Sequence, residues 1–155
     1  MDKRKIQTQN IKGFSLIEII LTIAILLLLS VFLFPFTLGK LQEIQLKNYS
    51  MKLVEDIYLQ QQQARNKNIY TGVVLESGKY TLYTGETVES STEKDVKTLE
   101  RGYTISNILL NEGTDIHFLP GSVKPATFGT FTLNKEKSHI RIYINKEGLI
   151  GNEKM

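Results

Sequence analysis

The sequence predicts an α+β chain, one long N-terminal helix packed on an antiparallel β-sheet head. Three observations lead there. An uncharged apolar run fills 19–38, about the 20 residues a helix needs to cross a bilayer. A helical repeat of apolar positions then continues to about residue 66. From 69 onward the period changes to short β-prone runs divided by Gly, Pro and Asn. Strands that follow a helix, rather than alternate with helices, belong to α+β architectures.

Residues 1–13 read as a polar leader. Lys3, Arg4, Lys5 and Lys12 against Asp2 supply the chain's whole formal charge of +3. The remainder is balanced, so the high pI gives no support to nucleic-acid binding by the head. A basic flank before an apolar run keeps the N-terminus in the cytoplasm and sends the C-terminus outward. There is no cysteine, which excludes a disulfide, a zinc-thiolate site and a catalytic thiol.

Residues 14–39 are apolar all round, as a helix in lipid must be. Glu18 is the lone carboxylate inside this segment. A charge there is costly and calls for a functional partner. Pro35 removes a backbone donor and crowds the carbonyl of Val31. Gly39 adds a second weak point, leaving a kink and a local unwinding as equal alternatives.

Lys12-Gly13-Phe14-Ser15-Leu16-Ile17-Glu18, running straight into an apolar helix, resembles the processing site of the type IV pilin and pseudopilin superfamily. The resemblance implies that a prepilin peptidase/methyltransferase cuts between Gly13 and Phe14 and methylates the new Phe14 amine. It implies that Glu18 guides assembly. The amine of Phe14 on one subunit then pairs with Glu18 on the next. A matched register hides both charges, and a mismatched one leaves a charge buried and unpaired. Other implied partners are further pilins or pseudopilins in a helical filament, an assembly-platform membrane protein, a cytoplasmic ATPase and, before assembly, membrane lipid. The implied location is the cytoplasmic membrane, single-pass, and then a cell-surface filament. A secretory signal peptide fits less well, since its apolar core runs about 7–15 residues to a small-x-small site. A plain membrane anchor is the other alternative.

Residues 40–68 continue the spine as an amphipathic helix. Leu41, Ile44, Met51, Val54 and Tyr58 form one apolar set, broadened by Leu46, Leu53, Ile57 and Ala64. Asn66, Lys67 and Asn68 are terminators, because Asn tolerates the left-handed cap conformation. The head, 69–155, offers strands at 71–76 and 79–84 around Ser77-Gly78, a hairpin signal. Residues 86–100 are charged and poorly patterned and read as a loop. Further strands are expected at 103–110, 115–119, 126–133 and 139–145, then a short one at 149–150 before a frayed end, six or seven in all. In 139–145, Ile140, Ile142 and Ile144 alternate with His139, Arg141 and Tyr143, the pattern of a half-buried antiparallel strand. This strand and turn layout, with Tyr58-Leu59-Gln60-Gln61-Gln62-Gln63-Ala64, resembles minor pseudopilins of the ComGD and GspH type.

Catalytic chemistry is sparse. His117 and His139 lie in no metal-ligand spacing and read as ordinary strand residues. No Walker or dinucleotide glycine pattern occurs, and no cofactor is implied. Lys135, Lys137 and Arg141, with Tyr143 near them, are the candidate centre of any weak, salt-labile DNA contact. The reading is a non-enzymatic structural subunit of a type IV pilus-like filament, most simply a competence pseudopilus for DNA uptake. A type II secretion pseudopilin or a minor subunit of an adhesive or motility pilus comes next. A membrane-anchored surface enzyme or binding protein is the rival from another class.

Overall fold

The computed structural model describes residues 14–154, with the side chains of 31–39 outside that description. The chain divides into two compact units, Met1–Gly39 and Lys40–Met155. Helix α1 is assigned over Leu16–Lys67. It ends at Asn68, whose φ of 56° is the left-handed cap that Asn adopts at low cost. Pro35 and Gly39 fall within 31–39, so the kink or unwinding expected there lies outside the described residues.

The second unit carries eight strands among the described residues: β1 (Thr71–Glu76), β2 (Lys79–Thr84), β3 (Glu93–Thr98), β4 (Tyr103–Leu110), β5 (Asp115–Phe118), β6 (Gly129–Lys135), β7 (Ser138–Ile144) and β8 (Ile150–Lys154). They form two four-stranded sheets, β3-β2-β1-β5 and β4-β6-β7-β8. Every pairing is antiparallel. The fold class is the expected α+β, but the single sheet of six or seven strands is corrected to two sheets of four.

Two strands stand where the sequence signalled none or little. Residues 93–98, expected inside a loop, pair with β2 from Thr84↔Glu93 to Lys79↔Thr98. Neither face of β3 is buried, so it has no apolar period to read. Its alternating charges suit an edge strand that must not recruit another chain. Residues 151–154, expected to fray, pair with β7. There Arg141 Nη1 lies 3.0 Å from Glu153 Oε1 across the ladder.

The core draws on both sheets and the helix. Leu46, Leu53, Ile57 and Ala64 of α1 meet Val73, Leu75 and Phe118 of one sheet and Phe131, Leu133, Ile142 and Ile144 of the other. Burying one such aliphatic side chain contributes about 1.5–3 kcal/mol. The buried face of α1 is therefore the second apolar set. Leu41, Ile44, Met51 and Tyr58 stay half exposed. Two stripes lie side by side on the helix, and the buried one includes Ser50, Gln60 and Gln61, which disguise it in sequence.

Those polar residues serve as fasteners. Gln61 Nε2 donates to the carbonyls of Val123 and Gly148, each at 2.7 Å. The turn expected at Pro120-Gly121 docks on the same helix, its Gly121 amide donating to Ala64 O at 3.0 Å. Thr71 Oγ1 donates to Gln60 O at 2.8 Å. The helix thus holds the loops between strands, and buried backbone carbonyls find donors.

Candidate functional site

The N-terminal motif opens the helix. The carbonyl of Ser15 accepts from the amides of Glu18 (3.0 Å) and Ile19 (3.2 Å), which makes Ser15 the N-cap. Glu18 then occupies the third helical position, in the first turn. Ser-x-x-Glu is the spacing of a capping box, and a carboxylate there also meets the positive end of the helix dipole. This local role of Ser15 and Glu18 was legible in the sequence but masked by the assembly reading. Phe14 precedes the helix and is 81% exposed. Gly13, the residue before the expected cut, lies outside the described residues.

Every residue of 16–30 is exposed, among them Leu16, Ile17, Leu26, Leu27 and Leu28. Nothing within the described chain covers this apolar surface. Among the described residues no helix is long and apolar enough to cross a membrane. The span expected over 14–38 includes side chains at 31–38 that lie outside the description.

In the head, one polar row crosses β2, β1 and β5. Gly72 faces Tyr83 on one side and His117 on the other. Tyr83 lies across Gly72, where an added Cβ would come within 2.3 Å of its ring. Its hydroxyl donates to Asp115 Oδ2 at 2.6 Å and accepts from His117 Nδ1 at 3.1 Å, a tautomer assigned from the single phenolic proton. Burial, then the hydrogen bond to Asp115, pushes the Tyr83 phenol far above its ordinary value. Burial raises the Asp115 carboxyl, against the hydrogen bond from Tyr83. A phenol held neutral is a poor nucleophile, so the row ties three strands together rather than activating a group. Tyr80 makes a similar tie to α1, donating to Asp56 Oδ2 at 2.6 Å.

The three basic residues named for DNA have separate surroundings. Lys135 donates to Gln45 Oε1 (2.8 Å) and the Tyr103 hydroxyl Oη (3.1 Å) and sits 4.4 Å over the Tyr103 ring. That ring stacks on Tyr49 at 4.4 Å. Arg141 is paired with Glu153. Lys137 lines a cavity with Glu43, Lys47 and Lys154. His139 Nδ1 bonds Asn134 Oδ1 at 2.9 Å. Among the described residues no three His, Asp or Glu side chains converge as metal ligands.

A helix capped at Ser15, apolar on every side and continued by a helix packed on antiparallel sheets, defines a pilin-like chain. Residues 8–34 match the family described as the prokaryotic N-terminal methylation motif. The match covers the N-terminal part of the chain and supports a likeness to type IV pilins and pseudopilins, with which the α+β fold is consistent. No curated protein and no solved structure matches it.

Proposed function

We propose that the chain is a minor pseudopilin, a structural subunit of a type IV pilus-like filament serving DNA uptake. The observation that carries the subunit reading is the methylation motif opening a helix whose apolar residues are exposed all round. Such a surface needs lipid before assembly and neighbouring helices afterwards. The precursor is single-pass with its N-terminus inside. A prepilin peptidase/methyltransferase cuts after Gly13 and methylates Phe14. The Phe14 amine then pairs with Glu18 of an adjacent subunit as an assembly platform and ATPase lift the chain.

The half-exposed stripe of Leu41, Ile44, Met51 and Tyr58 supports lateral packing of the same kind. An apolar groove between Met51, Val54, Tyr58 and Ile150 continues it. The motif points to a structural subunit rather than an enzyme. The competence assignment is supported by the resemblance of the head layout and of residues 58–64 to competence pseudopilins. Secretion and adhesive or motility pili are the alternatives. DNA contact centred on Lys135, Lys137 and Arg141 has less support, because Lys135 and Arg141 already hold partners within the chain.

Deleting the gene and scoring transformation, protein secretion and twitching side by side tests the assignment. Loss of transformation alone is the expected result. Normal transformation with lost secretion or twitching overturns it.

A further inference from the structure

Positive charge gathers at one place in a head that is otherwise balanced. A cavity of about 450 Å³ lies between the 43–47 stretch of α1 and the β7 and β8 strands. Leu46 and Ile140, both buried, supply its apolar lining. Lys47, Lys137 and Lys154 surround it. Glu43 is the cavity's single carboxylate and is bonded to Lys154. That hydrogen bond, then the charges of Lys154, Lys40 and Lys47, hold the Glu43 carboxyl below its usual range. Among the described residues neither Lys47 nor Lys137 has an ion-pair partner. Three lysines thus line the cavity against one carboxylate, and Lys40 stands three residues before Glu43 on α1.

We propose that this cavity binds the phosphodiester headgroup of an anionic phospholipid. Two observations select lipid among phosphodiesters. No Phe or Tyr lines the cavity, and its one aromatic ring, His139, is tied through Nδ1 to Asn134, so the cavity lacks the broad aromatic platform on which single strands stack. Lys40 follows the end of the apolar run by two residues. In a membrane-anchored precursor with its N-terminus inside, that places Lys40 at headgroup level on the outer face, where a basic side chain attracts anionic lipid. The apolar lining suits the glycerol and first methylenes of such a lipid. The site holds the precursor at an anionic membrane surface until assembly withdraws it. The inference rests on the membrane-anchored precursor proposed above.

The test is native mass spectrometry of the full chain in detergent, offered phosphatidylglycerol or phosphatidylcholine. Phosphatidylglycerol is expected to be retained selectively. Retention falls about fivefold for each of Lys47→Gln, Lys137→Gln and Lys154→Gln, and rises with Glu43→Gln. All four positions are solvent-facing, and circular dichroism checks that each variant is folded. Equal retention of the two lipids overturns the proposal. So does displacement of phosphatidylglycerol by equimolar glycerol 1-phosphate, which assigns the site to free phosphate, or by a single-stranded oligonucleotide, which assigns it to nucleic acid. The same spectrum reads the chain's mass. A chain starting at methylated Phe14 without lipid selectivity ends this inference alone, whereas an unprocessed chain in cells that build filaments counts against the pilin reading itself.

Discussion

Ser15 and Glu18 put two physical effects on one carboxylate. As the third residue after the N-cap, Glu18 favours the start of α1. As a charge among exposed apolar residues, it needs a cation once lipid or protein surrounds it. Substitution separates the two. Glu18→Gln keeps the capping geometry and loses the charge, and Glu18→Ala loses both. Both variants are expected to be processed and both to be missing from sheared filaments on immunoblots. Incorporation of the Gln variant at the normal level contradicts the charge-pairing account. A second residue-scale prediction concerns Asp115. Burial raises its carboxyl in the fold, so its contribution to stability is full below the ordinary carboxylate range and is lost as pH rises through the raised value. Denaturant unfolding of Asp115→Asn should show the variant gaining on the wild type between acidic pH and neutrality. A difference that does not change with pH contradicts it. The motif at 12–18 was legible because its chemistry is carried by adjacent residues. The Tyr83–Asp115–His117 row was not, because its members are brought together only by strand register.

At the scale of elements, α1 shows how a helix with two apolar stripes misleads. Leu41, Ile44, Met51 and Tyr58 keep a helical repeat as good as that of Leu46, Leu53 and Ile57, yet only the latter face the sheets. Leu53→Ala is expected to cost about 2–5 kcal/mol of stability, and Met51→Ala within about 0.5 kcal/mol, by chemical unfolding. Equal losses would contradict the assigned face. Gly72→Ala tests the polar row, because its Cβ would meet the Tyr83 ring at 2.3 Å. Such overpacking costs about 1–3 kcal/mol, read as a lowered unfolding midpoint. The hairpin at Ser77-Gly78 and the alternating Ile140, Ile142 and Ile144 were plain in the sequence, since turn chemistry and a buried face both leave local patterns. β3 and β8 were hidden for the opposite reason. β3 is an exposed edge strand and β8 a half-buried one whose only core contact is Ile150, and beyond that residue both are held by backbone pairing that leaves no apolar signature. Gln61 was likewise silent, because a polar residue in a helix reads as solvent-facing until the loops it fastens are placed around it.

For the whole molecule, the order of a helix followed by antiparallel strands was enough to give the α+β class. The division into two sheets was not, because Asn111-Glu112-Gly113 reads as an ordinary turn while β4 and β5 on its two sides belong to different sheets. Function rests on the N-terminal unit and its chemistry more than on the head. The apolar surface of 16–30 has no cover within the described chain, and the motif at 8–34 supplies the reason such a surface exists. The most direct test is the intact mass and N-terminal sequence of the chain isolated from cells that build surface filaments. The account predicts a chain that begins at N-methylated Phe14. A chain that still begins at Met1 would contradict it.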